Sequence, residues 1–164
     1  LEGLKIGKQL QTQNQSLTTA TRTRAIMALR NTVYGTQIRN SLEGYPHGFF
    51  SVDTHPNQPI IVGADDAGIL RLWNMQGKLL RQFQGHRASI WSVKFSPDGK
   101  MFASGDSLDG TVKLWSLEGK LLKSWRKQAG GIFSLSFSPD GQRLATAGAD
   151  QKIRIWQING RLLY

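Results

Sequence analysis

Apolar and polar residues alternate in short runs over most of this chain. Val93 and Phe95 alternate with Ser92 and Lys94, and Val112 and Leu114 alternate with Thr111 and Lys113. A period of two places alternate side chains on opposite faces of an extended strand. Between the runs lie Pro97-Asp98-Gly99, Asp109-Gly110 and Glu118-Gly119, residues suited to reversing the chain. The pattern predicts antiparallel strands near 49–53, 60–63, 69–74, 79–83, 91–95, 101–104, 111–116, 121–125, 133–137, 143–147 and 153–157. One stretch has a different period. Ile26, Leu29 and Val33 sit at i, i+3 and i+7, with Thr18 or Thr19 before them and Gly35 after. That spacing predicts a helix over residues 20–35.

The strand pattern repeats. Thr54-His55-Pro56-Asn57, Phe95-Ser96-Pro97-Asp98-Gly99 and Phe137-Ser138-Pro139-Asp140-Gly141 place their prolines 41 and 42 residues apart. Arg71-Leu72-Trp73, Lys113-Leu114-Trp115 and Arg154-Ile155-Trp156 follow at the same period. So do Gly77-Lys78-Leu79-Leu80, Gly119-Lys120-Leu121-Leu122 and Gly160-Arg161-Leu162-Leu163. Each unit is a four-stranded meander with two apolar faces, which cannot bury itself alone and must stack on its neighbours.

The period, the Ser-Pro-Asp-Gly turn and the closing Trp make residues 42–164 resemble the WD-repeat β-propeller family. The resemblance implies a mostly β fold, a partial propeller of three four-stranded blades near 42–82, 83–123 and 124–164, behind a helical lead-in at 1–41. It also implies that each blade is braced by a Gly-His pair, a Ser or Thr, a turn Asp and the Trp. In the second unit these are His86, Ser104, Asp109 and Trp115. The third keeps Asp150 and Trp156 with Gln128 at the His place. The first keeps Trp73, with Tyr45 and Ala67 where His and Asp belong. Propellers close with about 4–8 blades, so three are expected to need further blades of the same chain or self-association. The prefix, through Gly7-Lys8-Gln9-Leu10, Val33-Tyr34-Gly35 and Arg39-Asn40-Ser41, resembles the lead-in before WD repeats in bacterial, cyanobacterial-type signal-transduction NTPases. No phosphate-binding loop of the Gly-x-x-x-x-Gly-Lys-Ser/Thr kind occurs in these residues.

Composition narrows the chemistry. The 164 residues contain no cysteine, which removes disulfides and thiol chemistry, and the three histidines, His47, His55 and His86, lack metal-ligand spacing. The apolar runs are too short to span a membrane as helices. No nucleophile elbow or acid–base constellation is apparent, so no enzyme activity, cofactor or metal is expected, and a cytoplasmic location is. Net charge is +10, from 21 basic and 11 acidic residues. That raises nucleic acid or another polyanion as an alternative partner. The basic residues scatter over expected outer strands (Lys78, Arg81, Lys120, Lys123, Arg161), a distribution that favours a protein or peptide partner.

The contact site implied by the resemblance is the mouth of the channel, at Phe50, Trp91 and Phe133, flanked by Asp66, Leu108 and Ala149. Strict alternation would bury Trp91 on the face of Val93 and Phe95. A bulge at the start of the strand is required to turn it outward.

Overall fold

A computed structural model describes residues 45–126 and 128–164. The helix expected over 20–35, the lead-in at 1–41 and Lys127 lie outside them. Eleven strands follow in chain order: β1 (Phe49–Thr54), β2 (Ile60–Asp65), β3 (Ile69–Asn74), β4 (Leu79–Gln84), β5 (Ile90–Phe95), β6 (Met101–Asp106), β7 (Thr111–Ser116), β8 (Leu121–Arg126), β9 (Ile132–Phe137), β10 (Arg143–Gly148) and β11 (Ile153–Gln157). Every expected strand is present, most of them a residue or two longer than the pattern alone suggested. β4 and β8 run past the expected boundaries at 82 and 123.

The strands form three antiparallel meanders, β1-β2-β3-β4, β5-β6-β7-β8 and β9-β10-β11. The third was expected to have four strands. Leu162 meets Trp156 through an isolated bridge, and Leu163 N–H donates to Ile155 O, without a full fourth strand.

Two apolar cores lie between successive sheets, as two-faced meanders require. Val62, Leu70 and Leu72 of the first sheet pack on Ile90, Val93, Phe95, Phe102 and Trp115 of the second. On the second sheet's other face, Ala103, Val112, Leu114 and Trp125 pack on Ile132, Leu135, Leu144 and Trp156 of the third. Burying each large aliphatic side chain contributes about 1.5–3 kcal/mol. The inner strands β1, β5 and β9 lie side by side and are stitched by side chains. Ser51 Oγ accepts Val93 N–H at 3.1 Å, Asp53 Oδ2 accepts Phe95 N–H at 2.8 Å, and Ser92 Oγ accepts Leu135 N–H at 3.0 Å.

The glycine of the Gly-Lys/Arg-Leu-Leu landmark has a local cause. Gly119 has φ 82° and Gly160 φ 87°, in the left-handed region that glycine adopts without strain. A Cβ on Gly119 would lie 2.8 Å from the Phe83 ring of the preceding sheet, and one on Gly160 would lie 3.2 Å from Trp125. The turn of each later sheet therefore presses on an outer-strand aromatic of the sheet before it.

Candidate functional site

Each sheet carries a chain of buried polar groups ending on its tryptophan. In the second, Trp115 Nε1–H donates to Ser104 Oγ at 2.8 Å, and Ser104 Oγ lies 2.7 Å from His86 Nε2. Since the hydroxyl already accepts the indole proton, its own proton goes to Nε2. Nδ1 then carries the imidazole hydrogen and faces Asp106 Oδ2 at 3.5 Å. Burial lowers the His86 pKa, an effect reinforced by Lys113 and opposed by Asp106 and Asp109. The neutral ring fits this donor–acceptor order. Burial pushes the Asp106 carboxyl up, but hydrogen bonds from His86 and from the amides of Asp109 and Leu108 outweigh it and hold the group well below the usual carboxylate range.

The residue meeting His86 is thus Asp106, not the expected Asp109. Trp115 lies nine positions after Asp106, against eight from Asp65 to Trp73 and eight from Gly148 to Trp156. The extra residue lengthens the β6–β7 turn. Asp106, the last residue of β6, stays buried beside the imidazole, while Asp109 is carried outward to cap Thr111 N–H and pair with Arg126 at 3.7 Å.

The other two sheets reach the same end with different groups. In the third, Trp156 Nε1–H donates to Thr146 Oγ1 at 2.9 Å, Thr146 donates to Gln128 Oε1 at 2.8 Å, and Gln128 Nε2–H reaches Asp150 Oδ1 at 3.4 Å. The Gln128 amide does what the imidazole does, without a titrating proton. In the first, Trp73 Nε1–H donates directly to the Tyr45 hydroxyl at 2.9 Å. The place of Ser104 is taken by Gly63, where a Cβ would lie 2.7 Å from the Trp73 ring. The phenol spans the gap that a serine fills elsewhere. Below it, buried Arg71 pairs with buried Asp65 and stacks over the Tyr45 ring at 4.7 Å. Tyr45 and Ala67 at the His and Asp places of the first unit are legible in the sequence, whereas the replacement contact is not. The signal was present in Tyr45 and Gly63 changing together.

On this frame the inner strands carry a ridge of exposed aromatics. The pairing register of β1 with β2 shifts between Phe49 and Ser51, and that of β5 with β6 shifts between Ile90 and Ser92. That of β9 with β10 shifts between Ala147 and Gly148, opposite Phe133. Each shift is a bulge that leaves one aromatic unpaired and turns it out of the core. Phe50 is 56%, Trp91 36% and Phe133 51% exposed. Trp91 stacks on Phe133 with centroids 5.2 Å apart and ring planes 23° apart, and Phe50 meets Trp91 edge-on at 6.5 Å. Asp66, Leu108 and Ala149 are all exposed on the adjoining turns. The backbone equivalents are Asp66, Ser107 and Ala149, whose N–H groups donate to Gly48, Ser89 and Gly131. Leu108 is the inserted residue. Asp66 also pairs with His47 at 3.0 Å.

Among the described residues, no group of three or more His, Asp or Glu is placed to hold a metal ion, and no helix is long and apolar enough to cross a membrane.

A family model described as "WD domain, G-beta repeat" matches residues 77–116 and 119–157. The chain is 43% identical over 58 residues to transcription initiation factor TFIID subunit 5 of Caenorhabditis elegans, covering 35% of this chain and 9% of that protein. It is 39% identical over 56 residues to ribosome biogenesis protein YTM1 of Vanderwaltozyma polyspora, covering 34% and 12%. It is also 37% identical over 54 residues to an uncharacterized WD repeat-containing protein of Synechocystis, covering 33% and 4%. The matched stretches therefore span only small parts of these relatives. The crystal structure of the RRP9 WD40 repeats superposes with a TM-score of 0.72 at 19% identity, over 76% of this chain and 40% of that one. With the geometry above, these matches show that the chain carries WD40 repeats and that its eleven strands form antiparallel sheets of the WD40 type.

Proposed function

We propose that this chain is a non-catalytic protein-interaction scaffold that grips a protein or peptide partner through the ridge of Phe50, Trp91 and Phe133. The observation that carries this reading is the exposure of three contacting aromatics on rigid inner strands, each turned out by its own bulge. Large rings held in place before binding lose little conformational freedom on contact, which is what a binding hot spot needs. A role in a signalling protein rests on the resemblance of the lead-in alone, and the cytoplasmic location on composition alone.

The polyanion alternative fits less well. A single-strand nucleic-acid site sets cations beside stacking rings. Here the rings lie on β1, β5 and β9, whereas Lys78 precedes and Arg81 lies on β4, and Lys120 precedes and Lys123 lies on β8. Three strand spacings, about 14 Å, separate inner from outer strands. Affinity capture with wild-type chain and with the triple variant Phe50→Ala/Trp91→Ala/Phe133→Ala tests the reading. The variant is expected to lose the same identified partners while keeping its fold. Partners retained in full by the variant would refute the ridge as the site. A steep salt dependence of binding to random duplex DNA, unaffected by the triple variant, would favour the alternative.

A further inference from the structure

We propose that a cavity between the second and third sheets takes an arginine side chain of a peptide partner, in the place that His55 fills between the first and second sheets. The cavity lies at the far end of the inner strands from the aromatic ridge and is independent of it. Ser96, on its wall, follows Trp91 by five residues along β5, a distance of about 17 Å.

His55, Ser96 and Ser138 open the equivalent turns after β1, β5 and β9. His55 is buried and crosses to the next sheet. Its Nδ1 accepts the N–H groups of Asn57 at 3.1 Å and Gln58 at 2.9 Å, so Nε2 carries the ring hydrogen and donates it to Gly99 O at 2.9 Å. The ring also meets Phe95 edge-on, with centroids 5.1 Å apart. Ser96 is too short to make this crossing. Its hydroxyl stays within its own turn, against Asp98 Oδ1 at 2.6 Å and Met101 O at 2.9 Å. The space beyond it is a cavity of about 350 Å³. The two glycines facing these places register the difference. A Cβ on Gly99 would collide with the His55 ring, whereas one on Gly141 would find only Pro97 Cδ, at 3.6 Å.

The walls of the cavity specify what fits. Gly99 and Gly141 sit in the same kind of turn, with φ of 72° and 68° and N–H groups donating to Ser96 O and Ser138 O. The carbonyl of Gly141 is therefore set as that of Gly99 is, but among the described residues no donor meets it. Pro97, Met101, Pro139 and Ile158 supply apolar wall, and Asp98 and Asp140 supply two carboxylates. Each carboxylate uses Oδ1 inside its own turn, accepting the N–H of Lys100 or of Gln142. Oδ2 is left for a partner, since the exposed Lys100 Nζ comes only to 3.9 Å from that of Asp98. At the junction filled by His55, the first sheet carries neutral Asn57 at the place of these aspartates. A planar N–H donor for the carbonyl, a positive charge for the carboxylates and an apolar stem for the prolines are together the properties of arginine.

Titration of N-acetyl-arginine methylamide into the isotope-labelled full chain, followed by amide resonances, tests this. Binding is expected at a Kd of about 1 mM, with shifts at Lys100, Gly141 and Gln142. The citrulline analogue, of the same shape without the charge, is expected to bind about tenfold more weakly. Ser96→His supplies the imidazole that fills the first junction and is expected to abolish binding with unchanged circular dichroism. Asp98→Asn with Asp140→Asn keeps both turn acceptors and is expected to weaken binding about tenfold. Absence of shifts at about ten times the expected Kd would overturn the proposal. So would equal binding of the citrulline analogue, binding retained by Ser96→His, or full affinity in the double asparagine variant.

Discussion

Ser104→Ala removes one oxygen from the second sheet and should cost far more than one oxygen's packing. Ser104 is fully buried and joins two groups that have no other partner for the atoms concerned, accepting from Trp115 Nε1–H at 2.8 Å and donating to His86 Nε2. Two hydrogen bonds are worth about 1 kcal/mol each, and a buried donor left unsatisfied adds about 1–3 kcal/mol. The expected loss is about 3–5 kcal/mol, a large share of the 5–15 kcal/mol typical of a domain. Ser104→Thr is the control. Threonine already does this task at Thr146 in the third sheet, accepting from Trp156 and donating to Gln128. It should therefore cost less than about 1 kcal/mol, mostly in packing the extra methyl. Urea denaturation followed by tryptophan fluorescence reads both, as a lower midpoint at unchanged slope. A loss below about 0.5 kcal/mol for alanine, or equal losses for alanine and threonine, would refute the hydrogen-bond chain as a source of stability.

The second sheet should also be the acid-sensitive one. Because burial lowers the His86 pKa, the unfolded chain takes up a proton near pH 6.5 that the folded chain resists. Stability is then present above that pH and falls as pH drops below it; the depressed Asp106 adds a further loss through the carboxylate range. His86→Gln, copying Gln128, should flatten the first part of that fall in thermal melts from pH 7 to 5, and an unchanged slope would count against it. Arg71→Ala should cost about 3–5 kcal/mol, since it strands buried Asp65, whereas Arg71→Met with Asp65→Asn should cost much less; similar denaturation midpoints for the two would contradict this. Trp91→Phe should remove the component of tryptophan emission most readily quenched by acrylamide, because the other tryptophans at 73, 115, 125 and 156 are buried; unchanged quenching would place Trp91 in the core.

The strands and their stacking were legible in the sequence because they rest on local facts. Alternation, turn residues and a repeat of 41 or 42 residues specify meanders with two apolar faces, and such sheets bury themselves by stacking. The hydroxyl and indole of Ser104 and Trp115, and of Thr146 and Trp156, were legible for the same reason, as landmarks at constant spacing. Which carboxylate meets His86 was not, because counting back from Trp115 aligns Asp109, while the chain absorbs its extra residue in the β6–β7 turn and leaves Asp106 at the imidazole. Nor was the outward turn of Phe50, Trp91 and Phe133. In the sequence they share a parity with core or pairing positions, and only slips in cross-strand register decide otherwise. Register is set by contacts between residues far apart in the chain, so it belongs to the tertiary structure. The same holds for Tyr45, whose hydroxyl replaces a serine only because Gly63 lets the Trp73 ring come close.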